Sequence, residues 1–539
     1  MPAKTLDKTS AATVFDAIVI GGGHNGLVNG AYLAKAGLRT LIIERRPIVG
    51  GAAITEELIP GFHFTTFSYA LSLLRPDIIH DLELTKHGFL PIQMPCSFAP
   101  MENGDYLLMG TDRNLNLKEI SRHSKHDADA MDQYEHDMAQ VCHALKPLME
   151  APPPNLFGND AADAMQLDEL AKRMKELPSR VLQNCIRLLT GSSADFLDDY
   201  FESEIIKGWL ASSSIIGSKV GPRSQGSGLV LLYHNLGEHD GHFGSWAFHK
   251  GGNGGFTQVL ARAAQAFGAE IVVDTAVSHV ITNDGRATGV ALADGTELRA
   301  KVVVSSLDPR RTFTQLVDPA ELPLDLNDSI RRMRFQGTSA KVNFALDGAP
   351  RYPALGDRTD QFRGFTNIGP SLDYLERAYD DAKYGWFSAR PYVDACLQSF
   401  VDPDMAPPGK HVMSCFIQYA PYELQGSDWD TERQNFGDTV QATIESFFPG
   451  FGELVLHREV VTPLDIERVV GLTEGNIFAG EFLAPQMYFF RPAPGWNQYR
   501  TPIDSYYQCG SGTHPGGCVS GGPGKLAAQQ IIGDLAKKG

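Results

Sequence analysis

The chain has 539 residues, 43% of them hydrophobic and 21% charged, with 47 Lys+Arg against 64 Asp+Glu and a formal charge of -17. That length exceeds one compact core and predicts two or more domains. The acidic balance argues against a nucleic-acid partner, and seven scattered cysteines without a C-x-x-C argue against a disulfide framework or structural zinc, fitting a cytosol-like compartment.

The N-terminal stretch has no apolar h-region, so no secretory leader is expected, and no run of about 18 apolar residues offers a spanning helix. Ala17–Ile20 then predicts a buried strand. Gly21, Gly23 and Gly26 fit G-x-G-x-x-G, Asn25–Lys35 reads as a helix, and "RTLIIE" is a second strand ending in Glu44. Gly21 permits the tight turn, Gly23 lets a pyrophosphate approach, and Gly26 lets helix and strand pack closely. The helix N-terminus attracts the anion, and Glu44 can accept from a ribose diol. A lone glycine motif is weak; a complete βαβ unit with its acid makes a dinucleotide site. Arg45 and Arg46 would suit a 2′-phosphate, but Glu44 would repel one. Gly50, Gly51 and Ala52 in "IVGGAA" offer more backbone to the cofactor.

Residues 75–235 differ in character. A polar helical stretch ends at Pro152–Pro154. Residues 195–216 place Phe196, Leu197, Tyr200, Phe201, Ile205, Trp209 and Leu210 near one helical face. A core-facing helix is the plainer reading; the functional one is a substrate tunnel wall or a membrane-touching surface. A second α/β block follows, with a helix over Thr257–Phe267 and a strand over Ala269–Val273. Hairpin turns are expected at Asn283–Gly285 and Ala293–Gly295, then a strand at Lys301–Ser305. The first domain is therefore discontinuous. Residues 311–470 are mixed, with strand-like "AKVNFAL" and "KHVMSCFIQYA".

His234, His239, Asp240, His242 and His249 cluster, but their spacing matches no metal motif, and no metal site is expected. Near the end, "YYQCGSGTHPGGCVSGGPGKLAA" crowds glycines around His514, before a helix from about Gly524. Cys509 and Cys518 flank these glycines and read as two small buried residues.

"DAIVIGGGHNGLVNGAYLAKAGLRTLIIERR…VGGAA" resembles the FAD loop of phytoene desaturase-like flavoproteins. "GSGTHPGGCVSG" is similar to their C-terminal signature, and "HKGGNGGFTQVLARAAQAFGAEI" to their central motif. Among these flavoproteins the chain looks most like the branch named for a pyridine nucleotide-disulfide oxidoreductase domain. The resemblance implies an α/β, Rossmann-like FAD-binding domain of amine oxidase/desaturase type, assembled from residues 1–74, 236–310 and 471–539. An inserted α+β substrate domain takes 75–235 and 311–470. It implies that Gly21, Gly23, Asn25 and Gly26 hold the pyrophosphate, Glu44 and Arg45 the adenosine end, and Gly51 and Ala52 further cofactor backbone. Val277 would meet the adenine, and Gly512, His514, Gly517 and Val519 the flavin and ribityl chain. The chain departs from the carotene desaturases at "GFHFTTFSYAL", with Thr65, Phe67 and Ser68, and at Cys518 and Ser520, which replace a glycine and a proline.

The implied function is an FAD-dependent oxidoreductase of dehydrogenase/desaturase type. It takes a hydride to flavin N5 from a C–C or C–N bond of a fairly apolar small molecule. His514 is the catalytic candidate, since imidazole titrates near neutrality; a purely hydrogen-bonding role weighs as much. His63 and Tyr69 are weaker candidates. The alternatives are an amine oxidase with Tyr506 and Tyr507 as an aromatic cage, a redox-neutral flavin isomerase, and a non-catalytic flavin-fold binding protein. A cytoplasmic location is expected. The electron acceptor, a homo-oligomer and a peripheral membrane contact stay open.

Overall fold

The computed structural model describes residues 14–239 and 241–538. The leader expectation falls chiefly on residues 1–13, outside them. Among the described residues no helix is long and apolar enough to cross a membrane.

Two seven-stranded sheets organise the chain. The first is built around Val14–Ile20, which pairs in parallel with Thr40–Ile43 on one side and Glu297–Ser305 on the other. Glu270–Val272 extends the sheet beyond Thr40–Ile43, and Tyr506–Gln508 adds in parallel to Glu297–Ser305. An antiparallel ribbon, Val277–Asn283 and Arg286–Leu292, completes it, with its turns where the sequence placed them. Strand alternation sends Ala17 and Val19 into one core and Ile18 and Ile20 into another. The first core is covered by helices His24–Lys35, Gly252–Ala266 and Gly522–Lys538. The middle helix starts five residues before the expected Thr257. Gly254 makes this earlier start fit, because a Cβ there would sit 2.2 Å from Thr55 N.

The second sheet runs Val455–Val461, Ser339–Leu346, His411–Gln418, Tyr392–Cys396, Phe365–Ile368, Ser97–Pro100 and Tyr106–Met109. Its pairing is antiparallel except between Phe365–Ile368 and Ser97–Pro100. Val342 and Phe344 pack into the largest core, beneath the helices of residues 113–235 and Trp429–Phe447. Ser339, Lys341 and Asn343 alternate to the opposite face.

The expected stripe over 195–216 is two helices, Ser193–Asp198 and Glu204–Ala211. The break is held by buried Asp127, whose carboxylate accepts from the N–H groups of Glu202 and Ser203, each at 2.9 Å. Phe196, Leu197, Tyr200, Phe201 and Ile205 are core residues, and Trp209 and Leu210 pack half-buried against them. Of this stretch, Ile216 reaches the main cavity.

Candidate functional site

The main cavity opens where the parallel strands of the first sheet end, the usual ligand position in such sheets. Counted out to its mouth, open solvent included, it has ≈ 1560 Å³ free of protein atoms.

One end is a glycine cradle. Gly21 has φ +94°, and a Cβ on Gly26 would stand 2.0 Å from Gly21 O. Gly23 bridges to Gly50, so the second glycine pair lies against the first. No side chain caps the helix that starts at His24, which leaves its first N–H groups for an anion. Glu44, at the tip of the second strand, accepts from Gly22 N–H at 2.8 Å through Oε2 and from Arg46 N–H at 2.9 Å through Oε1. These two bonds fix its carboxylate at the cavity wall. Asn25 Oδ1 and His24 Nε2 are buried without a protein partner, and both residues line the cavity. Orphaned polar atoms of this kind fit a polar ligand. Glycine cradle, fixed carboxylate and orphaned atoms together fit the dinucleotide half of FAD.

Gly21, Gly23, Asn25, Gly26, Glu44, Gly51, Ala52, Tyr69, Cys518 and Val519 line this cavity. Several expected site residues do not. Arg45 turns its guanidinium to Val469 O at 2.6 Å, and Val277 is held in the ribbon opposite Leu292. Gly512 and Gly517 serve loop packing: a Cβ would meet Pro309 Cδ at 2.1 Å in the first and Phe478 Cα at 2.6 Å in the second. His514 lies behind the wall, with Nε2 2.9 Å from Leu148 O and its ring edge-on to Tyr488. Burial lowers its pKa to about 3, so it is a neutral imidazole in a packed site. His63 sits between Phe62 and Phe64 on a strand that turns both phenylalanines into the core, and so faces away. Tyr506 and Tyr507 form no cage. They alternate into opposite cores, with hydroxyls donating to Thr312 O at 3.1 Å and Asp534 Oδ2 at 3.0 Å.

His234 and His249 each pair with backbone. His234 Nδ1 lies 2.9 Å from Val230 O, and His249 Nε2 accepts from Leu90 N–H at 3.2 Å. Asp240 and the side chains of His239 and His242 lie outside the described residues. His234 does line the cavity, with Nε2 3.9 Å from Cys518 Sγ. Burial holds His24 and His234 to about 4 and pushes the Cys518 thiol up to about 12. All three are neutral at pH 7.

Apart from Phe67 and Tyr69, the other end carries residues that sequence reasoning did not single out. Phe67, Leu73, Ile216, Trp246 and Phe416 make an apolar chamber. Lys341 enters it from the second sheet, only 3% exposed, and donates to Ser414 Oγ. Its Nζ lies 4.2 Å from the centre of the Tyr69 ring. The Tyr69 hydroxyl donates to Asp394 Oδ2 at 2.5 Å, and Asn367 Nδ2 donates to Asp394 Oδ1 at 3.0 Å. Burial raises Asp394 to about 7 and lowers Lys341 to about 8, the latter opposed by neighbouring negative charge. A single charged residue in the strand run "AKVNFAL" was the available signal.

The flavin containing amine oxidoreductase family matches residues 26–532. The chain is 41% identical to mouse pyridine nucleotide-disulfide oxidoreductase domain-containing protein 2, over 97% of this chain and 94% of that one. It is 26% identical to a limonene dehydrogenase chain of Castellaniella defragrans, covering 96% and 95%. With a lycopene-forming phytoene desaturase of Paracoccus it shares 25%, covering 96% and 98%. A solved structure of a putrescine oxidase triple mutant with redesigned cofactor binding superposes with a TM-score of 0.61 at 15% identity, covering 97% and 99%. That likeness shows the fold, a Rossmann-type FAD domain with a substrate domain.

Proposed function

The chain belongs to the flavin containing amine oxidoreductase family, and we propose that this FAD-dependent oxidoreductase removes a hydride from a C–C or C–N bond of a fairly apolar small molecule. The observation that carries the reading is the continuity of one cavity from the glycine cradle at Gly21–Gly26 to the chamber of Phe67, Ile216, Trp246 and Phe416. Bound FAD supplies the hydride acceptor, since the hard chemistry belongs to the cofactor.

The chain's own residues bind, orient and exclude water. Backbone N–H groups at the start of helix His24–Lys35 take the pyrophosphate, and Glu44 takes the ribose hydroxyls through its remaining lone pairs. Ser511, Cys518 and Val519 line the far end of the cofactor path. The apolar walls keep water from the reacting bond, which strengthens every polar contact inside. His514 acts as a positioning residue: its bond to Leu148 O holds the 511–519 loop against the helix that ends at Met149. Relatives named for limonene and phytoene support an apolar substrate.

Anaerobic bleaching of the bound flavin across a panel of saturated hydrocarbons, acids, alcohols and amines tests this reading. Bleaching by any apolar member is expected. A flavin that no member bleaches would remove the dehydrogenase reading.

A further inference from the structure

We propose that Arg491 is a positioning residue for the reaction: it clamps two segments of the cavity wall and keeps an unpaired positive charge behind them, which favours arrival of a hydride on the flavin. This rests on the dehydrogenase reading and deepens it, because it names a residue outside the cavity that sets how readily the cofactor is reduced.

The clamp lies in its hydrogen bonds. The Arg491 side chain is fully buried. Its Nη2 donates to Phe478 O at 2.6 Å, to Gly480 O at 3.4 Å and to Ser511 O at 3.0 Å. Phe478 and Gly480 flank Ala479, which lines the cavity at φ +55°, a backbone region that is strained for a residue with a Cβ. Bonds to the carbonyls on either side hold Ala479 in that conformation. The third bond ties in Ser511, the cavity residue of the C-terminal glycine loop. One guanidinium thus joins both wall segments.

A neutral amide could also donate to carbonyls, so the charge needs its own account. Every partner of Arg491 is uncharged: the three carbonyls above, Gln486 O at 3.2 Å, Met487 Sδ at 3.7 Å and the Phe482 ring centre at 5.8 Å. Among the described residues no carboxylate lies within 4.0 Å of it, and Glu481, next to Gly480, is paired with Arg334 at 2.9 Å. Arg491 Nε is buried without a partner. Burial lowers its pKa only to about 10, so it stays charged at pH 7. A buried cation left without a counter-charge is costly. Its field already reaches the C-terminal loop: after burial, Arg491 and Arg75 are the cations that hold His514 down to about 3.

Negative charge arriving in the cavity completes the balance. Hydride transfer moves two electrons and one proton from the substrate carbon to flavin N5, so the substrate becomes one unit more positive and the ring one unit more negative. A fixed cation behind the wall favours that second state. It needs no contact to do so, because charge is weakly screened in a buried, low-dielectric setting.

Anaerobic reduction of the FAD-loaded protein against a reference dye reads the midpoint potential of the bound flavin. The wild-type potential is expected to lie above that of free FAD at the same pH. Arg491→Met is expected to shift the reduction equilibrium about tenfold toward oxidised flavin, about 30 mV for a two-electron couple. Arg491→Lys, which keeps the charge and loses the fork of donors, is expected to recover most of that shift, with thermal melts confirming that both variants fold. An unchanged potential in folded, FAD-loaded Arg491→Met overturns the proposal. So does weakened FAD binding with no change in potential, which would assign the charge to the diphosphate. If the variants fail to fold or to hold FAD, the wild-type potential decides, and a value at or below that of free FAD overturns the proposal while leaving the dehydrogenase reading in place. A wild-type chain that takes up no FAD removes the dehydrogenase reading, and this proposal with it.

Discussion

Asn25 Nδ2 donates to Ser511 Oγ at 3.1 Å, joining two glycine-rich loops that lie 486 residues apart in the chain. Asn29 Nδ2 donates to Gly524 O at 3.0 Å, and a Cβ on Gly524 would stand 2.4 Å from Asn25 O. The first and last helices thus meet backbone to backbone beside the cavity, and Gly524 allows that meeting. Asn25→Leu deletes the bond while nearly keeping the volume. It is expected to cost about 1 kcal/mol of stability and to weaken FAD retention about fivefold. Holoprotein melts and FAD release on dialysis measure the two.

The cradle itself is tested by adding one methyl group. Gly26→Ala puts a Cβ 2.0 Å from a backbone oxygen that cannot move aside cheaply. Purified Gly26→Ala protein is expected to hold no FAD. Gly533→Ala is the control, since a Cβ there meets nothing within 4 Å in the last helix. It should keep its FAD and gain up to about 1 kcal/mol from helix propensity.

Glu44→Gln removes the charge that two backbone N–H groups and a ribose share. Charge-assisted bonds of this type contribute about 1.5–3 kcal/mol, so FAD affinity should fall tenfold or more, ~1.4 kcal/mol being a factor of ten. Reconstitution of the apoprotein with increasing FAD gives the number directly.

Stability should fall on acidification. Burial holds His24, His234 and His249 to about 4 and His514 to about 3. In the unfolded chain these groups take a proton near pH 6.5. Between about pH 6.5 and 4 the unfolded state therefore binds protons that the folded state refuses, and unfolding becomes easier as pH drops. Each such histidine adds up to about 1.4 kcal/mol per pH unit to the slope. His514→Gln should flatten the curve by about that amount. Asp394 works in the opposite sense, because the folded protein keeps its proton up to about 7; Asp394→Asn should steepen the acid loss. Denaturant unfolding at pH 5, 6 and 7 measures both slopes.

Much of the first sheet was legible because its signals are local. The βαβ unit at Ala17–Glu44 and the turns at Asn283–Gly285 and Ala293–Gly295 are set by neighbours in sequence. The chamber was not legible, because Lys341, Asp394, Tyr69 and Phe416 come from separate segments and meet only through the pairing of the second sheet. The stretch around His514 reads as a cofactor loop in sequence, and the structure turns Ser511, Cys518 and Val519 of it to the cavity. Glycine density there implies close approach, but sequence does not say to what. Gly512 approaches Pro309 and Gly517 approaches Phe478, and this turns Ser511, Cys518 and Val519 to the cavity in place of His514. Asp127, reaching from another helix to break the 195–216 stripe, is a tertiary contact that helical periodicity does not carry.

Cys518 occupies φ +65° beside the cavity, a backbone region that favours glycine. Cys518→Gly relieves that conformation and removes a half-buried thiol. FAD content is expected to stay unchanged, and thermal stability to hold or rise. A loss of FAD on this substitution would show that the side chain, rather than the backbone, shapes the wall.

The visible absorption spectrum of the purified chain, taken before and after denaturation, tests the account most directly. A flavin band in the native protein, released as free FAD on unfolding and restored when the apoprotein is given FAD, is the predicted result. A colourless protein that takes up no FAD at any concentration would contradict it, because neither the Gly21–Gly26 cradle nor the Ser511–Val519 wall would then have the occupant that their geometry fits.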